Sequence, residues 1–226
     1  TGGIPGGRAA AQVAARQVKP VVMELGGKSP QIVLGDADLN LAVNGIVGGI
    51  FPATGQSCIS GSRILVQRNQ LETLSERLVK VATRAKVGDP QDPSTQVGPI
   101  ANRPHYEKVN RDIENALADG ASLLLDGRGK GPDKGYYIGP TIFTGVPNSA
   151  DLAQHEVFGP VVSTEGWEEE EEVIRVANDT VYGLAAGIWS RDVTRAMRMA
   201  DRIEAGTVYI NNYFNAFLFH FLNSFT

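Results

Sequence analysis

Short apolar runs alternate along the chain with longer segments in which apolar residues recur every three or four positions. The short runs predict strands or extended segments at 21–25, 31–34, 64–66, 123–125, 136–142, 161–162, 185–189 and 207–210. The longer segments predict helices at 8–18, 37–51, 70–86, 105–118, 168–178 and 192–203. Strands that alternate with helices are typical of parallel βαβ units. The pattern therefore predicts an α/β fold, with a mostly parallel open sheet and flanking helices.

A glycine-rich loop carries Cys58, the only cysteine of the chain. Pro52 must end the preceding helix, so the sequence GQSCISG at 55–61 is predicted to be a loop. Its glycines allow the backbone to approach a ligand closely. A thiolate at Cys58 could attack a carbonyl group, with its own N–H stabilising the oxyanion. On this segment alone, a buried inert thiol is an equally good interpretation.

Two glutamates are further candidates for chemistry. Glu24 lies near the end of the apolar run 21–25, where burial would raise the pKa of its carboxyl and suit it to general-base catalysis. A salt bridge to Lys28 or to an arginine is the alternative. Glu156 stands two residues before Phe158 in the sequence EVFGPV, where it could hold the hydroxyls of a sugar beside a flat ring. An exposed loop glutamate is equally plausible there.

The sequence TGGIPGG at 1–7 opens a predicted helix. Free N–H groups and the positive end of a helix dipole attract anions at such a place. This is not a complete dinucleotide-binding fingerprint, so a plain turn is the favoured interpretation of this loop taken alone.

Composition excludes several classes of function. The net charge of -4 gives no reason to expect nucleic acid as a partner, and no stretch is apolar and long enough to span a membrane. A single cysteine cannot form an internal disulfide, which favours a reducing, cytoplasmic location. His105, His155 and His220 have no ligand spacing, so no metal site is expected.

Both ends of the chain suggest a fragment. The chain lacks an initiator Met, and residues 1–3 have the composition of a loop interior. Five of the eight phenylalanines lie between 214 and 225. This Phe-rich tail is either an amphipathic helix or sequence unrelated to the fold, and we favour the second interpretation.

Taken together, the motifs resemble the aldehyde dehydrogenase superfamily. The resemblance is carried by ELGGKSP at 24–30, GQSC at 55–58, EVFGPV at 156–161, NDTVYGLAAGIWSRD at 178–192 and GTVYINN at 206–212. It extends from residue 1 to about 212. It implies that residues 1–23 are a remnant of the dinucleotide-binding domain, that 24–212 form the catalytic domain, and that 213–226 are an atypical tail.

The resemblance also implies the oxidation of a small aldehyde to a carboxylic acid with NAD or NADP. Cys58 would attack the aldehyde to give a thiohemiacetal and, after hydride loss, a thioester, which Glu24 would hydrolyse by activating water. Glu156 would bind the nicotinamide ribose, with Phe158 near the ring. The remaining cofactor contacts that the resemblance implies are Gly2 and Gly3 at the pyrophosphate, and Leu25 and Gly26 beside the nicotinamide.

Two other functions remain open at this point. In a CoA-acylating relative, CoA resolves the thioester in place of water, although Glu24 at its motif position argues against that. In an inactive fragment, the fold persists without activity. The sequence does not identify the aldehyde, although Ser57 and Ile59 are expected to line the substrate funnel. The parent protein is expected to form a homo-oligomer.

Overall fold

The computed structural model describes residues 1–214, and most of the predicted Phe-rich tail lies outside them. Within this range, seven strands form one sheet in the order β3-β4-β5-β2-β1-β6-β7. Only β3 and β4 pair antiparallel, and every other neighbouring pair is parallel. The strands are β1 (Pro30–Val33), β2 (Arg63–Gln67), β3 (Ser122–Leu125), β4 (Thr141–Thr144), β5 (Val161–Trp167), β6 (Ala185–Trp189) and β7 (Thr207–Ile210). The predicted α/β fold with a mostly parallel sheet is confirmed.

Helices connect and flank these strands. They are α1 (Ile4–Arg16), α2 (Leu39–Ile50), α3 (Leu71–Ala82), α4 (Arg103–Ala118), α5 (Asp151–Gln154), α6 (Glu170–Asn178) and α7 (Val193–Ala200). Side-chain caps fix three of their starts. Asp38 accepts hydrogen bonds from the first turn of α2, Asn102 accepts one from the His105 N–H of α4, and Asp192 accepts one from the Arg195 N–H of α7.

Both faces of the inner strands β1, β2, β4, β5 and β6 are buried, which explains their mostly apolar sequences, whereas the edge strands β3 and β7 are partly exposed. Successive side chains of a strand point to opposite faces, so Val33 packs with α2 and α3 while Ile32 packs with α6 and α7. A third apolar cluster lies between α4 and the β4–β5 side of the sheet. The central strands are therefore held rigidly from both sides, and the loops at their ends are attached to fixed positions.

The strand predicted at 21–25 is wrong. This segment is irregular, and the Val22 side chain is 87% exposed. Its one main-chain hydrogen bond to another segment of residues 1–214 runs from the Gly2 N–H to the Glu24 carbonyl, at 3.1 Å. An apolar run becomes a strand only beside another strand that pairs with its backbone groups, and no such strand lies beside it among the described residues.

The last described residues belong to the core. Tyr213 is fully buried and packs with α2 and β6, although it stands at the predicted start of the tail. Within residues 1–214, no helix has the length and apolar character needed to cross a membrane.

Candidate active site

The loop that carries Cys58 begins with an unusual backbone. After α2, Ala53, Thr54 and Gly55 have φ angles of 50°, 59° and 67°, all in the left-handed region. That conformation is strained for Ala and Thr, and such strain persists only where surrounding contacts enforce it. The Thr54 hydroxyl supplies one such contact by donating to the Gly98 carbonyl at 3.0 Å. Cys58 follows on the exposed surface of the loop, so it is not a buried thiol.

Gln56 fastens this loop to the segment 98–101. Its amide nitrogen donates to the Ala53 and Pro99 carbonyls at 3.3 and 3.2 Å. Its amide oxygen accepts from the Ala101 N–H at 2.8 Å. The side chain two residues before the cysteine therefore uses both ends of its amide to hold the backbone. This role could not be assigned from the sequence, because Pro99 and Ala101 lie more than forty positions along the chain.

Three motifs meet around Cys58 through backbone contacts. A Cβ added to Gly27 would lie 2.3 Å from the Cys58 carbonyl oxygen, so the ELGGKSP segment packs against the cysteine itself. A Cβ added to Gly55 would lie 2.1 Å from the Gly159 carbonyl oxygen. The EVFGPV turn therefore packs against the other side of the loop. At both places only glycine fits without a backbone shift.

Glu156 bridges two of these segments. Its carboxylate is half-buried and accepts a hydrogen bond from the Gly27 N–H at 3.0 Å. The second carboxylate oxygen lies over Gly26, where an added Cβ would be 2.4 Å away. Burial raises the pKa of Glu156, and the Gly27 hydrogen bond partly offsets that effect.

Helix α4 supports this turn through two side chains one helical turn apart. Lys108 donates to the carbonyls of Glu156 and Val157 at 3.0 and 3.1 Å. The His105 Nε2–H donates to the Phe158 carbonyl at 2.6 Å, and the two rings are in contact. Phe158 has a φ of 58°, and its side chain is 37% exposed. Residues His105 and Lys108 were not predicted as site residues, and their shared helix face was the available signal.

A cavity of about 530 Å³ opens beside Glu156. The start of α1 faces it, where Gly3 is the N-cap and provides no side-chain hydrogen bond. Of the six residues predicted to bind the cofactor, Gly3, Gly26 and Glu156 line this cavity. Leu25 and Gly2 are the chain neighbours of the lining residues Gly26 and Gly3. Leu25 lies against Gly7 of α1, and the Gly2 N–H donates to the Glu24 carbonyl. Phe158 is not among the residues that line it.

This cavity fits part of a dinucleotide. Glu156 presents a carboxylate to it, and the first turn of α1 offers main-chain N–H groups at the positive end of a helix. The close approach at Gly26 leaves no room for a side chain between the loop and that carboxylate. Ribose hydroxyls suit the Glu156 carboxylate, and a phosphate suits the N–H groups at the start of α1.

A second cavity, of about 800 Å³, borders the Cys58 loop. Ser57 and Ile59, the two neighbours of Cys58, both line it, together with Pro52 and the segment 93–96. Ser57 and Ile59 are the residues expected from the sequence to line the substrate funnel. Their common cavity gives a small molecule access to the loop.

Glu24 does not have the environment expected for it. The residue is exposed, and no ion pair joins it to Lys28 or to an arginine within residues 1–214. The expectation of a desolvated carboxylate failed because 21–25 is not part of the sheet. The buried charge of this motif is Lys28, whose side chain is enclosed where the segment enters β1.

Burial lowers the pKa of Lys28 to about 7. The positive charges of Arg63 and Lys108 add to this lowering. Arg63 is itself buried and donates to the Lys28 carbonyl at 3.1 Å, which fixes the end of the motif on β2. The carboxylates of Asp112 and Glu156 oppose this lowering of the Lys28 pKa, but their effect is smaller.

The chain is similar to known proteins of one family. The family model for the aldehyde dehydrogenase family matches residues 1–221. The chain belongs to the aldehyde dehydrogenase family. It is 45% identical over 216 residues to a betaine aldehyde dehydrogenase of Brucella anthropi, covering 94% of this chain and 44% of that protein. The chain thus spans less than half the length of this curated relative.

Solved structures of the family have the same fold. An NAD-dependent aldehyde dehydrogenase from Sinorhizobium meliloti superposes with a TM-score of 0.93 at 40% identity, covering 95% of this chain and 43% of that one. A betaine aldehyde dehydrogenase from Staphylococcus aureus, solved in complex with NAD+, gives a TM-score of 0.90 at 38% identity. That match covers 96% of this chain and 43% of the other. The sequence-based resemblance to this family is confirmed.

The contact between the Cys58 loop and the EVFGPV turn can be tested with a matched pair of glycines. Gly55 and Gly145 both have a φ of 67°, but an added Cβ at Gly145 has no atom within 4 Å. Gly145→Ala should destabilise the protein by about 1–2 kcal/mol through backbone strain alone. Gly55→Ala should lose a further 1–3 kcal/mol, roughly, through overpacking against Gly159. Urea unfolding measures both values, and equal losses would contradict the contact.

Lys28 predicts a specific dependence of stability on pH. Its folded pKa is about 7 and its ordinary value is 10.5, so unfolding takes up a proton between these pH values. The free energy of unfolding should therefore rise with pH across that window, by at most about 1.4 kcal/mol per pH unit from this group. Replacing the group by Lys28→Met removes this contribution.

The measurement is the difference in unfolding free energy between Lys28→Met and the original chain, from pH 6.5 to 9.5. The variant should gain most at the lowest pH, and its advantage should shrink as the pH rises. Lys134→Met, at an exposed loop position, is the control and should show a constant difference. A constant difference for Lys28→Met as well would show that the Lys28 ammonium is not penalised by burial.

Proposed function

We propose that this chain is the catalytic part of an NAD(P)+-dependent aldehyde dehydrogenase that converts an aldehyde into a carboxylic acid. The observation that carries the proposal is the packing of two further motif segments, through Gly27 and Gly159, against the loop of Cys58. In this proposal residues 24–212 form the catalytic domain and residues 1–23 belong to the dinucleotide-binding domain. The proposal refers to the whole protein, since the chain spans 44% of a full-length relative.

Cys58 acts as the nucleophile. Its thiolate sulfur forms a bond to the aldehyde carbon, and the carbonyl electron pair moves onto oxygen, which gives a thiohemiacetal. The Cys58 N–H is available to that oxygen, because no hydrogen bond within residues 1–214 uses it. Exposure of Cys58 next to the cavity of Ser57 and Ile59 supports direct access for the aldehyde.

NAD(P)+, when bound, supplies the hydride acceptor that the oxidation requires. The carboxylate of Glu156 holds the hydroxyls of the nicotinamide ribose, and Lys108 keeps that residue in place by binding its carbonyl. The other contacts proposed for the cofactor belong to Gly2, Gly3, Leu25, Gly26 and Phe158. NAD+ is the first cofactor to test, since the two solved relatives are named for it.

Glu24 acts as the general base for hydrolysis. It removes a proton from water, the water oxygen attacks the thioester carbon, and the C–S bond breaks to release the acid and restore the thiolate. Its exposed position gives it direct access to water, and Gly27, three residues later, contacts Cys58. Water is thus the acceptor of the acyl group in this proposal.

The substrate is a small aldehyde that reaches Cys58 through the cavity beside Ser57 and Ile59. Betaine aldehyde is the first candidate to assay, because the curated relatives are named for it. A nucleophilic thiol must stay reduced, which supports a cytoplasmic location. As in the expectation from sequence, the full-length protein is proposed to be a homo-oligomer.

Two substitutions test the proposed roles in the full-length protein. Cys58→Ala should abolish aldehyde-dependent NADH formation. Glu24→Gln should keep one rapid NADH release per active site and then turn over about 10²–10⁴-fold more slowly, because the thioester is formed but not hydrolysed. Stopped-flow absorbance of NADH separates the two phases, and product analysis without CoA should find the free acid.

Glu76→Gln, an exposed position on α3, is the control and should keep full activity. Wild-type rates for Cys58→Ala would overturn the proposed function. An unchanged steady rate for Glu24→Gln would remove Glu24 from the mechanism while leaving Cys58 in place. If turnover requires CoA and the product is an acyl-CoA, transfer of the acyl group to CoA would replace hydrolysis in the mechanism.

A further inference from the structure

Tyr213, directly after β7 and its short exit turn, is fixed underneath the Cys58 loop. Its side chain is fully buried. Glycines make room for its ring on two sides, since a Cβ added to Gly49 or to Gly187 would lie 2.5 or 2.7 Å from a ring carbon. The Tyr209 ring packs against it, with 5.2 Å between the ring centroids. The ring therefore has little freedom to move.

The Tyr213 hydroxyl donates a hydrogen bond to the carbonyl of Ile59, the residue that follows Cys58, at 2.6 Å. Burial raises the pKa of Tyr213 well above its usual value, so the phenol remains a donor across the whole physiological pH range. A residue 154 positions away thus contacts the backbone of the nucleophile loop.

The next residues of the loop have their own anchors. Gln31 donates to the Gly61 carbonyl at 3.3 Å, and the Gly61 N–H donates to the Gly49 carbonyl at 3.1 Å. Trp189 in turn holds the Gln31 side-chain oxygen at 3.0 Å. No other donor to the Ile59 carbonyl is present among the described residues. The peptide group that joins Ile59 to Ser60 is therefore held at both ends, by the Ser57 carbonyl at its N–H, at 3.1 Å, and by Tyr213 at its carbonyl.

We infer that Tyr213 is a positioning residue for Cys58, because its hydroxyl fixes the backbone of the nucleophile loop at Ile59 and so sets the direction of the thiol. The inference rests on the proposed role of Cys58 as the nucleophile. Tyr213 touches neither the substrate nor the cofactor in this role. It acts through the main chain of the loop, and its effect should fall on the chemical step rather than on binding.

The test is Tyr213→Phe, which removes the hydroxyl and keeps the ring. The rate of iodoacetamide alkylation, mapped to Cys58 by mass spectrometry, should fall about tenfold, as expected for the loss of one hydrogen bond to a partly buried backbone group. In the aldehyde assay kcat should fall by a similar factor, while KM for the aldehyde and for NAD+ stays unchanged. Tyr209→Phe makes the same chemical change four residues earlier and should alter neither rate.

Rescue separates positioning from a general loss of structure. Replacing Tyr213 by 4-aminophenylalanine returns an N–H donor on the same ring and should restore most of both rates, even if Tyr213→Phe melts at a lower temperature. Unchanged alkylation and kcat in Tyr213→Phe would overturn the inference, and so would a loss that the amino variant does not recover. Alkylation does not require catalysis, so it still tests Tyr213 if the original protein oxidises no aldehyde and the proposed function fails.

Discussion

The close approach of three backbone segments at Cys58 is the constraint on which this site depends. Gly27 lies against the cysteine carbonyl, and Gly55 lies against the Gly159 carbonyl, each at a distance that leaves no space for a Cβ. Side chains can adjust by changing rotamer, but two main chains in contact cannot. The position of the thiol is therefore set by the packing of rigid loops, and each loop is attached to a strand or helix of the buried sheet.

The layout of charge around this contact follows from burial. Lys28 and Arg63 are enclosed where the ELGGKSP segment joins the sheet, whereas Glu24 remains exposed at the other end of the motif. A proposed base that works on water benefits from solvent access, and a backbone anchor benefits from exclusion of water. The same seven-residue motif thus contributes an exposed carboxylate at its first residue and a buried lysine four residues later.

Periodicity predicted most of the fold correctly, because apolar strands and amphipathic helices are local properties of the sequence. The exception at 21–25 is instructive, since an apolar run is only a strand when another strand lies beside it. The order of the strands also could not be deduced from periodicity. Val33 and Ile32 point to opposite faces because side chains alternate along a strand. Which helices cover each face depends on the placement of β1 between β2 and β6, and that placement is decided by the whole chain.

The candidate residues Cys58, Glu24 and Glu156 could be chosen from sequence because their residue types are chemically unusual in their surroundings. Their supports could not be chosen in this way. Gln56 and Lys108 are ordinary polar residues on a loop and on a surface helix, and their roles come from carbonyl groups distant in sequence. Main-chain acceptors have no signature in the amino-acid sequence, so the groups that bind them become visible only in three dimensions.

The most direct measurement of the central claim is to trap the acyl-enzyme. The full-length protein is mixed with aldehyde and NAD+, quenched in acid within the first turnover, digested, and analysed by mass spectrometry. An acyl group of the substrate's mass on the peptide that contains Cys58 is the predicted result. Rapid NADH formation with no adduct at Cys58, or with the adduct on another residue, would contradict the account.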